Sequence, residues 1–192
     1  MHKTTVILTS LFAAIGAQAE TVVYEIDPNH SSITFAVRHH INKVKGSFGD
    51  FSGEIVVDQD DMTKSKAKAD IKTKSVNTNN NKRDNHLQQD DYFNIAEYPV
   101  MSFETTSWKK DDDDDDYEVT GNLTILGVTK PVTLDVEYLG VQEGQGHYKG
   151  LEIIGFEGET EINRADWGLK SGGPIVGDKV DIELSIQGHR KK

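Results

Sequence analysis

The stretch Ile33-Thr34-Phe35-Ala36-Val37-Arg38-His39-His40-Ile41 decides the fold class. Ile33, Phe35, Val37, His39 and Ile41 fall on one side of an extended chain, and Thr34, Ala36, Arg38 and His40 on the other. That is the period-two pattern of a strand with one buried face. The same period recurs outward in both directions. Val23 to Ile26 precedes it, and Val44, Gly46 and Phe48 follow, leading into Phe51, Gly53, Ile55 and Val57. The parity changes across Gly49-Asp50, which predicts a bulge or sharp bend beside a glycine.

Ala67, Ala69 and Ile71 mark a weaker strand, and Met101, Phe103 and Thr105 another after Pro99. Tyr117 to Ile125 runs to a turn at Gly127. Val132 to Tyr138 runs to a glycine-rich loop over 140–150. Ile154 to Ile162 and Val180 to Ile186 complete a set of about eight or nine strands. Only 77–94 breaks the pattern, as a long polar connection with a helix-compatible stretch from Asn81 to Asp90. Each strand has one apolar face, so the sheet must close on itself or pack on a second sheet. Glycines at the bends favour an all-β, eight-stranded antiparallel barrel with a short helical segment in a long connection; a sandwich is the alternative.

The N-terminus reads as a secretory signal. Met1-His2-Lys3 is a positive start, Val6 to Ile15 is apolar, and Ala17-Gln18-Ala19 supplies small residues at −3 and −1. An apolar run of about 10 residues is short of the roughly 20 needed to span a bilayer. Residues 1–19 are therefore expected to be cleaved, leaving one domain over 20–192. The chain carries 21 basic and 32 acidic residues, a net charge of −11. That balance argues against nucleic acid and against electrostatic docking on anionic lipid. There is no cysteine, so stability must come from burial and strand pairing alone.

Few motifs carry chemistry. His39 and His40 are adjacent on a strand and point to opposite faces, and no histidine has zinc-site spacing, so neither metal nor cofactor is expected. The Asp111 to Asp116 run lacks the ligand spacing of a calcium loop and reads as a solvated hairpin tip. Asp27, His30 and Ser31 are close in sequence, but no nucleophile motif accompanies them. Arg83 and His86 in the long connection, Arg164 near the Gly168 turn, and His39 on the apolar face are candidates to meet a polar head group. Arg83 has an alternative role, pinning the loop to the sheet. Phe35, Val37, Phe48, Phe51, Phe103, Leu123 and Ile125 could line a cavity or pack against one another.

At these residues the chain resembles the YceI family of exported, lipocalin-like bacterial proteins. The match runs through Tyr24-Glu25-Ile26-Asp27-Pro28-Asn29-His30 to Ile33, Phe35 to His39, and Gly46-Ser47-Phe48-Gly49-Asp50-Phe51-Ser52-Gly53. It resumes at Lys82 to Leu87 with Asp91-Tyr92-Phe93, Tyr98 to Phe103, Gly121 to Val132, Gly155-Phe156 and Ile162-Asn163-Arg164. The resemblance implies an eight-stranded barrel enclosing an apolar tunnel for a polyisoprenoid or similar amphiphile, located in the periplasm. It implies a lipid partner; charge argues against nucleic acid, no segment after the signal is apolar enough for a membrane anchor, and an unpaired barrel edge would be a route to a homodimer. Rival readings are an enzyme acting on a sequestered isoprenoid-like substrate, and a stress-related interaction protein whose cavity is incidental.

Overall fold

A computed structural model describes residues 20–111 and 115–192. Residues 1–19, read above as a signal, and Asp112 to Asp114 lie outside the described residues. The strands are β1 (Thr21–Ile26), β2 (Ser32–His39), β3 (Asn42–Phe48), β4 (Phe51–Asp58), β5 (Lys66–Lys72), β6 (Val76–Asn77), β7 (Val100–Lys110), β8 (Asp116–Ile125), β9 (Val128–Glu143), β10 (Leu151–Asn163) and β11 (Val176–Lys191), with one α-helix, α1 (Asn81–Leu87).

All pairs are antiparallel and the ring closes in the order β1-β4-β5-β7-β8-β9-β10-β11, with β11 returning to β1. That is eight strands. The other three segments are continuations of ring members. β2 continues β1 and also pairs with β11, β3 is the first half of the strand that ends as β4, and β6 extends β5 to pair with β3. Three of the eight barrel strands are therefore interrupted.

Each interruption has a local cause. Between β1 and β2, Pro28 cannot donate to a ladder, and Asp27 folds back to accept from the Asn29 amide at 2.9 Å. Between β3 and β4, Gly49-Asp50 inserts two residues, so Phe48 and Phe51 are both buried in one apolar cluster. This is the parity change expected from the sequence. Between β5 and β6, a 3-10 turn (Thr73–Ser75) buries Thr73, whose hydroxyl donates to the Tyr98 carbonyl at 3.1 Å.

Three readings change in detail. The alternation from Ile33 ends at His39. Ile41 sits in the two-residue turn to β3 and is 101% exposed, not inward-facing. The glycine-rich 140–150 loop is shorter than expected, because β9 runs on to Glu143 and only 144–150 connect it to β10 at Leu151. Gly140 (φ 98°) carries the bulge that leaves Leu139 unmatched opposite Gly155 and Phe156. A second bulge at Thr106 shifts β7 so that Trp108 is buried, 7% exposed.

The helix starts where Asn80 caps it, its side chain accepting from the Arg83 amide at 3.1 Å. Buried Asp84 holds the preceding strand end by accepting from the Thr78 amide at 2.8 Å and hydroxyl at 2.5 Å. Leu87 and, beyond it, Phe93 pack on the cluster that contains Phe48 and Val76. The helix is thus pressed against one end of the barrel. A second cluster, including Trp108, Tyr117, Phe156 and partly buried Tyr138, fills the other end. No helix among the described residues is long and apolar enough to cross a membrane.

Candidate functional site

Between the two clusters lies a cavity of about 460 Å³ with an almost wholly apolar wall. Its existence shows in the burial pattern. Phe35, Val37, Leu123, Val180, Ile182 and Ile186 point inward yet are only half-buried, because their inner surface faces open space. In a filled core the same residues would be sealed.

Two glycines shape the wall. A Cβ on Gly46 would lie 2.4 Å from Cζ of Phe35, and one on Gly121 would lie 2.4 Å from Cζ of Phe103. Each phenyl ring therefore lies flat along its neighbour strand instead of standing across the lumen, which keeps the interior clear. Aromatic edge contacts close the far end, with Trp108 and Phe156 centroids 5.8 Å apart and Trp108 and Tyr117 centroids 6.1 Å apart.

Phe35, Val37, Phe48, Phe103, Leu123 and Ile125 all lie on the cavity wall. Phe51 does not. It is 5% exposed and packs behind the wall, because the two-residue insertion at Gly49-Asp50 places it beside Ile71 in the core cluster. Trp108, Val119, Ile55 and Phe156, which were not among the cavity candidates, form the deep end. Trp108 was obscured by the bulge, although a large aromatic near an inward register was itself a signal.

The mouth lies beside the β2–β3 hairpin, α1 and the segment before β11, where exposed His39 and His86 join half-buried Tyr92 and Val176 on the wall. His86 Nε2 is 3.1 Å from Asp91 Oδ2, and the same oxygen accepts from the Ser171 hydroxyl at 3.1 Å. This ties the loop after α1 to the loop before β11. Partial desolvation works against the Asp91 charge, but the hydrogen bonds from His86 and Ser171 outweigh it and hold the carboxyl below its usual range.

The two arginines differ from the head-group role that their residue type suggests. Arg164 is 5% exposed, and its guanidinium donates to the carbonyls of Gly177 (2.8 Å), Leu169 (2.5 Å), Ser171 (2.8 Å) and Val176 (3.3 Å). All its nitrogens are engaged, so it organises the loop before β11 and has no free edge for a ligand. Arg83 donates to the Thr78 hydroxyl at 2.7 Å and carbonyl at 2.8 Å, the pinning role, while its remaining edge borders the cavity.

Away from the cavity, Asp27 Oδ2 lies 2.9 Å from His30 Nδ1 and accepts from the Tyr148 hydroxyl at 2.9 Å. Ser31 turns away, exchanging hydrogen bonds with Gln187, so these three residues do not form a triad. Among the described residues no group of three or more His, Cys, Asp or Glu side chains is placed to share an ion.

A closed antiparallel barrel of eight strands around an apolar cavity with a polar-rimmed mouth defines the lipocalin-like class of cavity barrels. Within that class the chain belongs to the YceI-like domain family, whose model matches residues 24–188. It is 36% identical over 183 residues to protein YceI of Escherichia coli, covering 95% of this chain and 93% of the relative. The crystal structure of the Campylobacter jejuni YCEI protein superposes with a TM-score of 0.71 at 38% identity, covering 80% of this chain and 88% of that one. A polyisoprenoid binding domain from Saccharophagus degradans shares the fold, with a TM-score of 0.64 at 18% identity over 88% of this chain and 98% of that one.

Proposed function

We propose that this protein binds and carries an amphiphilic lipid, of the polyisoprenoid kind, in the barrel cavity, and does so in the periplasm. The observation that carries the reading is the cavity itself: about 460 Å³ of open, apolar-walled space in the middle of a barrel. An empty volume of that size costs packing energy that a filled core would not, whereas it suits a small-molecule site. The family and the polyisoprenoid-binding neighbour favour the same class of ligand. The signal-like N-terminus supports the location.

The energetics are adequate. Burying a methylene contributes roughly 0.8 kcal/mol, so a five-carbon unit gives on the order of 3–4. Three units reach about 8 kcal/mol after some ordering cost, near micromolar affinity. The wall is almost wholly apolar, so it selects an extended apolar tail chiefly by shape. The test is native mass spectrometry of the protein purified from its own host, followed by incubation with prenyl lipids. A bound lipid of defined mass, or stoichiometric uptake, is the expected result. A protein that arrives empty and takes up nothing overturns the reading.

A further inference from the structure

The β2–β3 hairpin stands on the rim of the cavity mouth, where His39 and Val176, paired across β2 and β11, belong to the wall. Its tip breaks two rules of a soluble turn. Ile41, a β-branched apolar residue, is 101% exposed. His40 beside it takes φ 54°, a left-handed conformation that glycine or asparagine adopts more readily. Neither choice helps folding, and such choices concentrate at functional positions.

The tip is also held firmly. Arg38 donates to the His40 carbonyl at 2.9 Å and reaches the Pro174 carbonyl at 3.4 Å, while the His40 amide donates to the Ile175 carbonyl at 2.9 Å. Ile175, 41% exposed, is thereby fixed on the same rim as Ile41.

The charge on this hairpin departs from the rest of the protein. Arg38 to Lys45 contains Arg38, Lys43 and Lys45, two histidines and no acidic residue, in a chain of net charge −11. Lys43 is neutralised by Asp181. Arg38 and Lys45 have no carboxylate partner among the described residues. Asp111, Asp115 and Asp116 lie at the end of β7 and the start of β8, and strand direction places them at the opposite end of the barrel.

Resting on the carriage reading above, we infer that the β2–β3 hairpin docks the cavity mouth on the surface of an anionic phospholipid bilayer. Ile41 and Ile175 enter the boundary between head groups and acyl chains, and Arg38 and Lys45 meet the anionic head groups. The acidic far end is repelled and sets the barrel mouth-down. A lipid can then pass between bilayer and cavity with its tail shielded from water. The negative net charge opposes adsorption of the surface as a whole. It does not oppose contact through one locally basic, apolar tip within a Debye length of the membrane.

Vesicle flotation with the purified protein tests this, using vesicles of phosphatidylcholine alone and of phosphatidylcholine with phosphatidylglycerol. The expected result is binding to the anionic vesicles that weakens as salt rises, and little binding to the neutral ones. Ile41→Asp should lower partitioning by about tenfold or more, and Lys45→Glu by roughly fivefold or more at low salt. Both positions are exposed, and both variants should keep the melting temperature and the lipid content seen by native mass spectrometry. Equal partitioning of wild type and Ile41→Asp, or no preference for anionic vesicles, overturns docking. Lipid retained in a protein that ignores vesicles would refute docking alone. An empty protein that still floats would refute carriage alone.

Discussion

The phenyl ring of Phe35 occupies the space where its cross-strand partner Gly46 would carry a side chain, so a Cβ there would lie 2.4 Å from the ring and 2.9 Å from Thr78 Cγ2. Phe35 is inside the barrel, and Thr78 is the residue that Asp84 and Arg83 hold in place. The pair therefore links the cavity wall to the anchoring of α1.

Gly46→Ala is expected to destabilise the fold by about 1–3 kcal/mol through overpacking. Phe35→Leu should restore part of that loss in the double variant, since the two positions touch. Urea unfolding of the four proteins of the cycle measures both effects; additive losses would show that the ring does not constrain Gly46.

Filling the cavity should separate binding from folding. Ala69→Phe on β5 and Val180→Phe on β11 both project into the open volume. Each should reduce lipid uptake at least tenfold while changing stability by about 1 kcal/mol or less, because the added ring meets space rather than packed neighbours. Native mass spectrometry and thermal melts provide the two readouts. Undiminished uptake would place the ligand elsewhere.

Arg164→Lys is not conservative at this site. A lysine cannot satisfy four separate carbonyls from one planar fork, and several would be left buried without donors. The expected cost is about 3 kcal/mol or more, with faster hydrogen exchange concentrated in 169–177. A loss spread evenly over the barrel would contradict the assigned role.

Alkaline pH should weaken the closure of the barrel. Burial first, and then the 2.5 Å hydrogen bond from its hydroxyl to Glu152, push Tyr24 up to about 12 from an ordinary 10.0. Arg190 bonds the same carboxylate at 2.8 Å, joining β1, β10 and β11. Because the folded-state value is raised, the contribution to stability is complete below pH 10 and is lost as pH rises through about 12. Spectrophotometric titration should show a late-ionising phenol that Tyr24→Phe removes, and the variant's stability should fall less steeply across that range.

Much of the barrel was legible because alternation is local. The run from Ile33 to His39 needs only period two to be read, and Gly49-Asp50 announces its bend by a change of parity. The failures share a cause. Alternation carried past the end of β2 made Ile41 look buried, when a two-residue turn puts it in water. The bulge at Thr106 hid Trp108, and the two-residue insertion moved Phe51 off the wall. A bulge is defined by the partner strand, so one strand's sequence does not contain it. Arginine chemistry was visible at Arg164, but its partners are backbone carbonyls that every residue possesses.

The sequence by itself determined the strands, the connection that holds α1, and the apolar inner face, because side-chain period and turn chemistry act over a few residues. It also determined the family. Whether Phe35, Phe103 and Leu123 surround a space or fill it was decided only by the tertiary structure. An inward apolar residue obeys the same pattern in both cases, and the volume left between opposite walls depends on ring closure and on where each ring comes to lie. The mouth was settled in the same way. Its rim joins His39, His86, Tyr92 and Val176 from segments far apart in the chain, and only the closed barrel brings them together.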